Sequence, residues 1–138
     1  MNVKKQKQIK MRRTEQDYLN LLKETVEYYS TDGVNRALDY KGDCKYYTKG
    51  DTCAVGRCLV NPKDKDNILG DTSDVDSLLK RFNDNVFKKQ YRGYSLNFWS
   101  KLQRLHDADQ YWRDGKLSFN GEAKEKDINQ WIINNIPY

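Results

Sequence analysis

Apolar side chains recur every three or four residues after residue 14, which is the spacing of one face of an α-helix. Thr14 is followed three residues later by Asp17, a pattern typical of a capping box at a helix N-terminus. The pair Asp32-Gly33 predicts the end of this helix. Its inward stripe consists of Tyr18, Leu22, Val26 and Tyr29.

Between residues 43 and 60 the pattern changes to short apolar stretches divided by turn residues. We predict a strand at Cys44–Tyr47 and then a tight turn, because Gly50 adopts positive φ without strain. Cys53–Val60 fits either a second strand or a short helix. We favour a strand that enters a helical turn, with Cys53 at its entry. Residues 62–72 are polar and alternate in charge, which favours a solvated loop.

Three further helices are predicted in the remainder of the chain. Thr72 or Ser73 is expected to cap the first of them. Ser95 is expected to cap a long helix that ends near Arg113. The last helix is expected to open at Asn120 or Gly121. The inward faces are predicted as Val75, Leu78, Leu79 and Phe82, then Phe98, Trp99, Leu102, Leu105 and Trp112, then Ile128, Trp131, Ile132 and Asn135.

Together these elements predict a mostly helical α+β fold. A small β-hairpin or sheet near residues 43–60 would pack on three longer helices, in a single domain over residues 14–138. A length of 138 residues suits one domain. No apolar run approaches the roughly twenty residues of a membrane span, and no apolar segment of the kind found in secretory signals follows the basic start.

Positive charge is concentrated at the N-terminus of the chain. Residues 1–13 contain six basic side chains and no acid, while the whole chain carries a formal net charge of +5, so residues 14–138 sum to −1. We therefore expect a basic, flexible tail on a nearly neutral domain. Weak contact with nucleic acid through this tail is one expectation; a solvated leader without a partner is the other. The basic and aromatic connector at residues 88–94 could likewise grip phosphates, or it could be a linker whose tyrosines pack back on the domain.

Cysteine usage favours a reducing compartment and argues against a metal. The three cysteines, Cys44, Cys53 and Cys58, are odd in number and do not form a disulfide framework. They contain no pair at the spacing of zinc ligands, and the chain has a single histidine. Gly56 is not followed by the further glycines of a phosphate loop. We predict neither a metal nor a cofactor.

The candidate site is predicted from two segments that carry reactive side chains. One is the region of Cys53, which follows a tight turn, and the other is the helix that carries the only histidine, His106. The candidate ligand-binding residues are Gln103, Arg104, His106, Asp107 and Tyr46. The simpler interpretation is that each cysteine is a small core residue and that His106 is a core or rim histidine beside Trp99 and Leu102.

A resemblance rests on a small set of these positions. Cys-x-Tyr, a turn and Cys-Ala-Val-Gly, followed by Leu-Gln-x-x-His-Asp and a tryptophan on the same helix, resembles a group of small proteins common in tailed-bacteriophage genomes. The matching residues are Cys44, Tyr46, Cys53, Ala54, Val55, Gly56, Leu102, Gln103, His106, Asp107 and Trp112. The turn Gly50-Asp51 and the segment Asn61–Asp64 depart from the pattern. The resemblance implies a phage origin and little about chemistry.

Two functions from different classes remain open at this point. The first is a non-enzymatic phage protein that acts by binding in the cytoplasm of the infected host, as a counter-defence or host-takeover inhibitor. It would sequester a nucleotide-like signal or occlude a host defence protein, with no membrane involvement. The alternative is a cysteine-dependent enzyme in which Cys53 is the nucleophile and His106 is the base, with Gln103 or Asp107 supporting the imidazole. The enzyme requires Cys53 and His106 to be adjacent and accessible.

Overall fold

A computed structural model describes residues 12–36, 45–48, 50–69 and 74–137. Five α-helices and two small antiparallel sheets of two strands each lie in these residues, which confirms the α+β class. The helices are α1 (Glu15–Tyr29), α2 (Pro62–Leu69), α3 (Val75–Phe82), α4 (Leu96–Asp107) and α5 (Phe119–Asn135). The strands are β1 (Tyr47–Thr48) paired with β2 (Asp51–Thr52), and β3 (Trp112–Arg113) paired with β4 (Lys116–Leu117).

Local sequence explains the start of α1. The Thr14 side chain accepts a hydrogen bond from the backbone N–H of Asp17, whose carboxylate accepts one from the N–H of Thr14 in return. This is the predicted capping box, and it satisfies two backbone donors that the helix itself leaves open. The helix ends at Tyr29, and Gly33 follows in the left-handed region with φ of 83°.

The first hairpin is shorter than predicted. Its strands contain two residues each, joined by a turn in which Gly50 has φ of 87°. Cys44 lies outside the described residues. The strand predicted from Cys53 onward is wrong, because residues 53–55 carry no strand. The helical turn predicted after it is confirmed, as a 3₁₀ turn at Gly56–Cys58. Leu59 then forms an isolated bridge with Phe87.

The predicted loop at residues 62–72 is wrong over most of its length, because Pro62–Leu69 forms α2. Pro62 occupies the first helical position, where its fixed φ and missing N–H cause no loss. Leu69 is the only buried side chain of this helix. The alternating lysines and aspartates therefore show no apolar stripe from which a helix could be predicted. Residues 70–73, including the predicted caps Thr72 and Ser73, lie outside the described part. Asp74 caps α3, accepting from the N–H of Ser77 at 2.7 Å.

The predicted long helix begins where expected and ends early. Ser95 caps α4 and accepts from the N–H of Phe98, but the helix stops at Asp107 instead of near Arg113. Trp112 therefore lies on β3 and not on the helix of His106, contrary to the expectation. Asp114 and Gly115, which directly follow the predicted helix end near Arg113, form the turn of the β3–β4 hairpin, with φ of 51° and 77°.

The core forms where the helices meet. Helix α1 packs against α5, and α4 contacts both α3 and α5. The Phe87 and Trp99 rings are stacked with centroids 4.4 Å apart and planes 8° apart, which joins the segment after α3 to α4. Ser118 caps α5, whose first residue, Phe119, comes one position before the predicted opening at Asn120. Ile128 and Ile132 of the predicted stripe are buried, whereas Asn135 is exposed. Among the described residues, no helix is long and apolar enough to cross a membrane.

Candidate functional site

Helix α4 is tied to the chain after the first hairpin by Gln103. Its Oε1 accepts a hydrogen bond from the backbone N–H of Val55 at 3.0 Å, inside the core. Its Nε2 donates to Oδ1 of Asp107 one turn further along α4, at 2.9 Å. Val55 is the cap residue at the start of the 3₁₀ turn, where an N–H has no acceptor within the turn, so its buried N–H needs an acceptor from elsewhere. The Gln103 amide supplies that acceptor.

His106 completes a three-residue network with Gln103 and Asp107. Its Nδ1 lies 2.7 Å from Oδ1 of Asp107. Because a carboxylate oxygen accepts hydrogen bonds, this contact places the imidazole proton on Nδ1. Oδ1 of Asp107 thus accepts a hydrogen bond from Gln103 and another from His106. We call Gln103, His106 and Asp107 the Asp107 network.

The imidazole of His106 lies in the core. The residue is 1% exposed, and its ring meets the Tyr29 ring edge-on with centroids 4.8 Å apart. Within the described residues its Nε2 has no hydrogen-bond partner. Burial lowers the pKa of His106 below its usual value, against the opposing effect of the hydrogen bond to Asp107. The structure therefore favours a neutral imidazole.

Arg36 closes the C-terminal end of α4, and nothing in the sequence pattern identifies this role. Its Nη1 donates to the carbonyl oxygens of His106 and Asp107 at 2.8 and 3.2 Å. Its Nη2 pairs with Asp109, and its guanidinium lies 6.0 Å from the centroid of the Trp112 ring. A cation at this position satisfies carbonyls that the helix leaves open and is favoured by the helix dipole.

Cys53 is fully buried, and its sulfur serves a structural purpose. The backbone N–H of Gly56 points to Sγ of Cys53 at 3.2 Å. A 3₁₀ turn of three residues follows, which is too short for the helix-terminus effect that would activate a thiol. The neighbouring Cys58 is also buried, and burial raises the pKa of its thiol to about 12. Both thiols have the surroundings of core residues.

Gly56 allows the close approach on which this arrangement depends. A Cβ at this position would collide with the carbonyl oxygen of Tyr46. Tyr46 is itself fully buried, and its N–H donates to Oδ1 of Asp66 on α2 at 2.9 Å. The 3₁₀ turn therefore meets the backbone before β1 directly, and α2 is joined to that backbone through the Asp66 side chain.

The structure brings together part of the predicted site. Gln103, His106 and Asp107 share one network, and Gln103 reaches the segment after Cys53. Three of the candidate ligand-binding residues are buried: Gln103, His106 and Tyr46 are 8%, 1% and 0% exposed. Arg104 is exposed and the Asp107 side chain is 31% exposed, so these two can meet a partner.

Among the described residues, no three His, Cys, Asp or Glu side chains form a group that could hold a metal ion. Comparisons with protein-family models, with curated proteins and with solved structures find no match to this chain.

Proposed function

We propose that this protein acts by binding a protein partner through the exposed end of α4, and that it performs no chemistry at Cys53 or His106. The observation that carries the proposal is the burial of both residues, at 0% and 1% exposure. A nucleophile and a base must reach the reacting atoms of a substrate. In this arrangement the sulfur accepts a backbone hydrogen bond and the imidazole is held on Asp107.

The exposed surface at the end of α4 is charged, and hydrogen bonds within the protein fix one of its carboxylates. Arg104 and Asp109 are exposed, and Asp107 is half-buried. The Asp107 carboxylate is fixed by Gln103 and His106, so little side-chain freedom is lost when a partner contacts it. We call Arg104, Asp107 and Asp109 the α4-end surface.

Charge favours a protein over a nucleotide-like ligand at this surface. A phosphate would face the carboxylates of Asp107 and Asp109, while the Arg36 guanidinium is already engaged by Asp109 and two backbone carbonyls. Like charges placed together oppose binding. A protein surface that presents both an acidic and a basic side chain would complement Arg104 and the two aspartates.

The setting we propose follows from the resemblance to small tailed-phage proteins. The partner would be a host defence protein in the cytoplasm of an infected bacterium, and binding would occlude it. The protein would then be a counter-defence or host-takeover inhibitor.

Site-specific photo-crosslinking in bacterial cells tests this proposal. A benzoylphenylalanine at Ser100, which is exposed one helical turn before Arg104, should form a discrete crosslinked product with one host protein. The matched control places the same group at Lys126, an exposed position of α5. The crosslink from Ser100 should disappear when Arg104→Glu is added. Equal products from both positions, or no product from Ser100, would contradict the proposal.

A further inference from the structure

The connector at residues 88–94 lies along the N-terminal half of α1. The Tyr94 hydroxyl donates to the carbonyl oxygen of Asp17 at 3.3 Å. Just before α1, the Nε and Nη2 of Arg13 donate to two carbonyl oxygens of the connector at 2.6 and 2.8 Å. Residues 1–11 of the expected basic tail lie outside the described part of the chain, whereas Arg13 packs on the fold.

A cleft of about 160 Å³ lies between α1 and the connector, and we call it the α1–connector cleft. Pockets for nucleotides and other small ligands usually have volumes of about 300–1,000 Å³. The cleft is therefore too small for a whole nucleotide but can take one side chain of a partner. Its lining includes Asp17, Asn20, Leu21 and Glu24 of α1 and Tyr91 and Tyr94 of the connector.

The charged side chains that line the cleft are acidic. Asp17 and Glu24 line it, and among the described residues no lysine, arginine or histidine does. One oxygen of the Asp17 carboxylate accepts from the N–H of Thr14, and one oxygen of Glu24 accepts from Arg57. Because a carboxylate has two oxygens and several acceptor sites, both groups keep the capacity to accept from a further donor.

The spacing along α1 directs both carboxylates to the middle of the cleft. Asp17, Asn20, Leu21 and Glu24 are related as i, i+3, i+4 and i+7, which places them on one face of the helix. Asn20 and Leu21 each lie about one helical turn, roughly 5 Å along the axis, from a carboxylate on either side. Leu21 is 4% exposed and gives this point an apolar floor. A cation with an apolar stem complements such a surface.

The tyrosines of the opposite wall already bind guanidinium groups of the protein itself. The Arg57 guanidinium lies 5.5 Å from the centroid of the Tyr91 ring, and the Arg13 guanidinium lies 5.0 Å from that of Tyr94. The electron-rich faces of aromatic rings attract cations in this way. Neither arginine lines the cleft, and each is engaged, Arg57 by Glu24 and Arg13 by backbone carbonyl oxygens.

We propose that the α1–connector cleft binds the arginine side chain of a protein partner. A planar guanidinium donates hydrogen bonds in several directions and stacks on aromatic rings, whereas the lysine ammonium is a compact point charge. The methylene stem would cover Leu21, and the guanidinium would lie between Asp17 and Glu24. None of these residues belongs to the α4-end surface, so this contact stands independently of the proposed function.

The test measures binding of N-acetyl-arginine amide to isotope-labelled full-length protein by NMR. The backbone amide signals of Asn20, Leu21 and Tyr91 should shift together and saturate. The expected Kd is on the order of 1 mM, as for other ligands of this size. N-acetyl-citrulline amide has nearly the same shape without the charge, and it should bind about tenfold more weakly.

Two matched substitutions separate the cleft from the overall charge of α1. Glu24→Gln removes a carboxylate from the cleft, and Glu27→Gln removes an exposed carboxylate outside it. Each glutamate is paired with a cation of the protein, Glu24 with Arg57 and Glu27 with Lys23. The first substitution should weaken binding of the arginine amide several-fold, and the second by less than about twofold because exposed charges are screened. Asn20→Asp adds a carboxylate to the cleft and should strengthen binding. Melting temperatures verify that each variant is folded.

Several results would overturn this proposal. They are absence of a saturable shift at the cleft, equally tight binding of the citrulline amide, and equal loss from Glu24→Gln and Glu27→Gln. Tighter binding of putrescine, a free diamine, than of the arginine amide would assign the cleft to a small amine instead of a protein partner.

Discussion

The backbone N–H of Val55 donates to Oε1 of Gln103 at 3.0 Å and joins two segments that lie 48 residues apart. One segment is the start of the 3₁₀ turn, and the other is the middle of α4. The same amide fixes Asp107 through its Nε2. One side chain therefore connects the buried segment after the first hairpin to the surface at the end of α4.

Removing this amide should destabilise the fold. Gln103→Ala leaves the buried N–H of Val55 without its acceptor, which costs about 1–3 kcal/mol of unfolding free energy. Urea denaturation measures the loss. Arg104→Ala, an exposed neighbour on the same helix, is the control and should change stability by less than about 0.5 kcal/mol. Equal stability of the two variants would show that water or another group replaces the amide.

Stability should fall as the solution becomes more acidic because of His106. Its pKa in the folded protein is lowered, first by desolvation, so the unfolded chain binds the proton more readily. The stabilisation is therefore complete above the unfolded pKa of about 6.5 and is lost as pH falls below it, with a slope of at most about 1.4 kcal/mol per pH unit. Urea denaturation between pH 7.5 and 5, in steps of about half a unit, measures this slope.

His106→Asn is the matched variant for this pH dependence. Its amide N–H stands in the place of the Nδ1 donor to Asp107 but does not titrate. The slope between about pH 6.5 and 5 should become shallower than in the parent protein. An unchanged slope would assign the acid sensitivity to carboxylates instead of His106.

The backbone contact at Gly56 makes a separate prediction. Gly56→Ala forces the carbonyl of Tyr46 to move, which should cost about 1–3 kcal/mol or more. Gly50→Ala is the comparison, since Gly50 has open space around it and only its positive φ opposes a side chain. That variant should lose about 1 kcal/mol. A smaller loss at Gly56 than at Gly50 would contradict the close packing described here.

Thiol labelling tests the surroundings of the cysteines. Cys53 and Cys58 are buried, so iodoacetamide at neutral pH should label them slowly in the folded protein and rapidly in urea. Peptide mapping by mass spectrometry assigns each label. Fast labelling of Cys53 in the folded state would show an accessible, reactive thiol and would favour the alternative of a cysteine-dependent enzyme.

Local signals allowed several elements to be predicted from sequence. Thr14 with Asp17, and Ser95, are caps whose partners lie within three residues, so a short window contains the whole interaction. The helix at Pro62–Leu69 was missed because its polar residues show little of the periodicity that identifies a helix. Trp112 was misplaced because an apolar residue after α4 fits either a longer helix or a strand.

The sequence allowed the residues of the site to be predicted, but it did not allow their solvent exposure to be predicted. The spacing of Gln103, His106 and Asp107 places them within reach along one helix, as an i, i+3, i+4 set. Whether His106 faces solvent depends on Tyr29, which is far away in sequence, and on which elements cover that side of α4. The contacts of Arg36 and Arg13 arise likewise from pairings across about 70 residues or more, for which a single sequence has no periodic signal.

The most direct test of the central claim compares crosslink yield from Ser100 in two variants of the same protein. Cys53→Ala with His106→Asn removes both reactive groups, whereas Arg104→Glu alters only the α4-end surface. If the protein acts by binding, the first variant should retain the host crosslink at close to the parent yield, after correction for the folded fraction, and the second should lose it. Loss of the crosslink in the folded Cys53 and His106 variant, with retention in Arg104→Glu, would contradict the account.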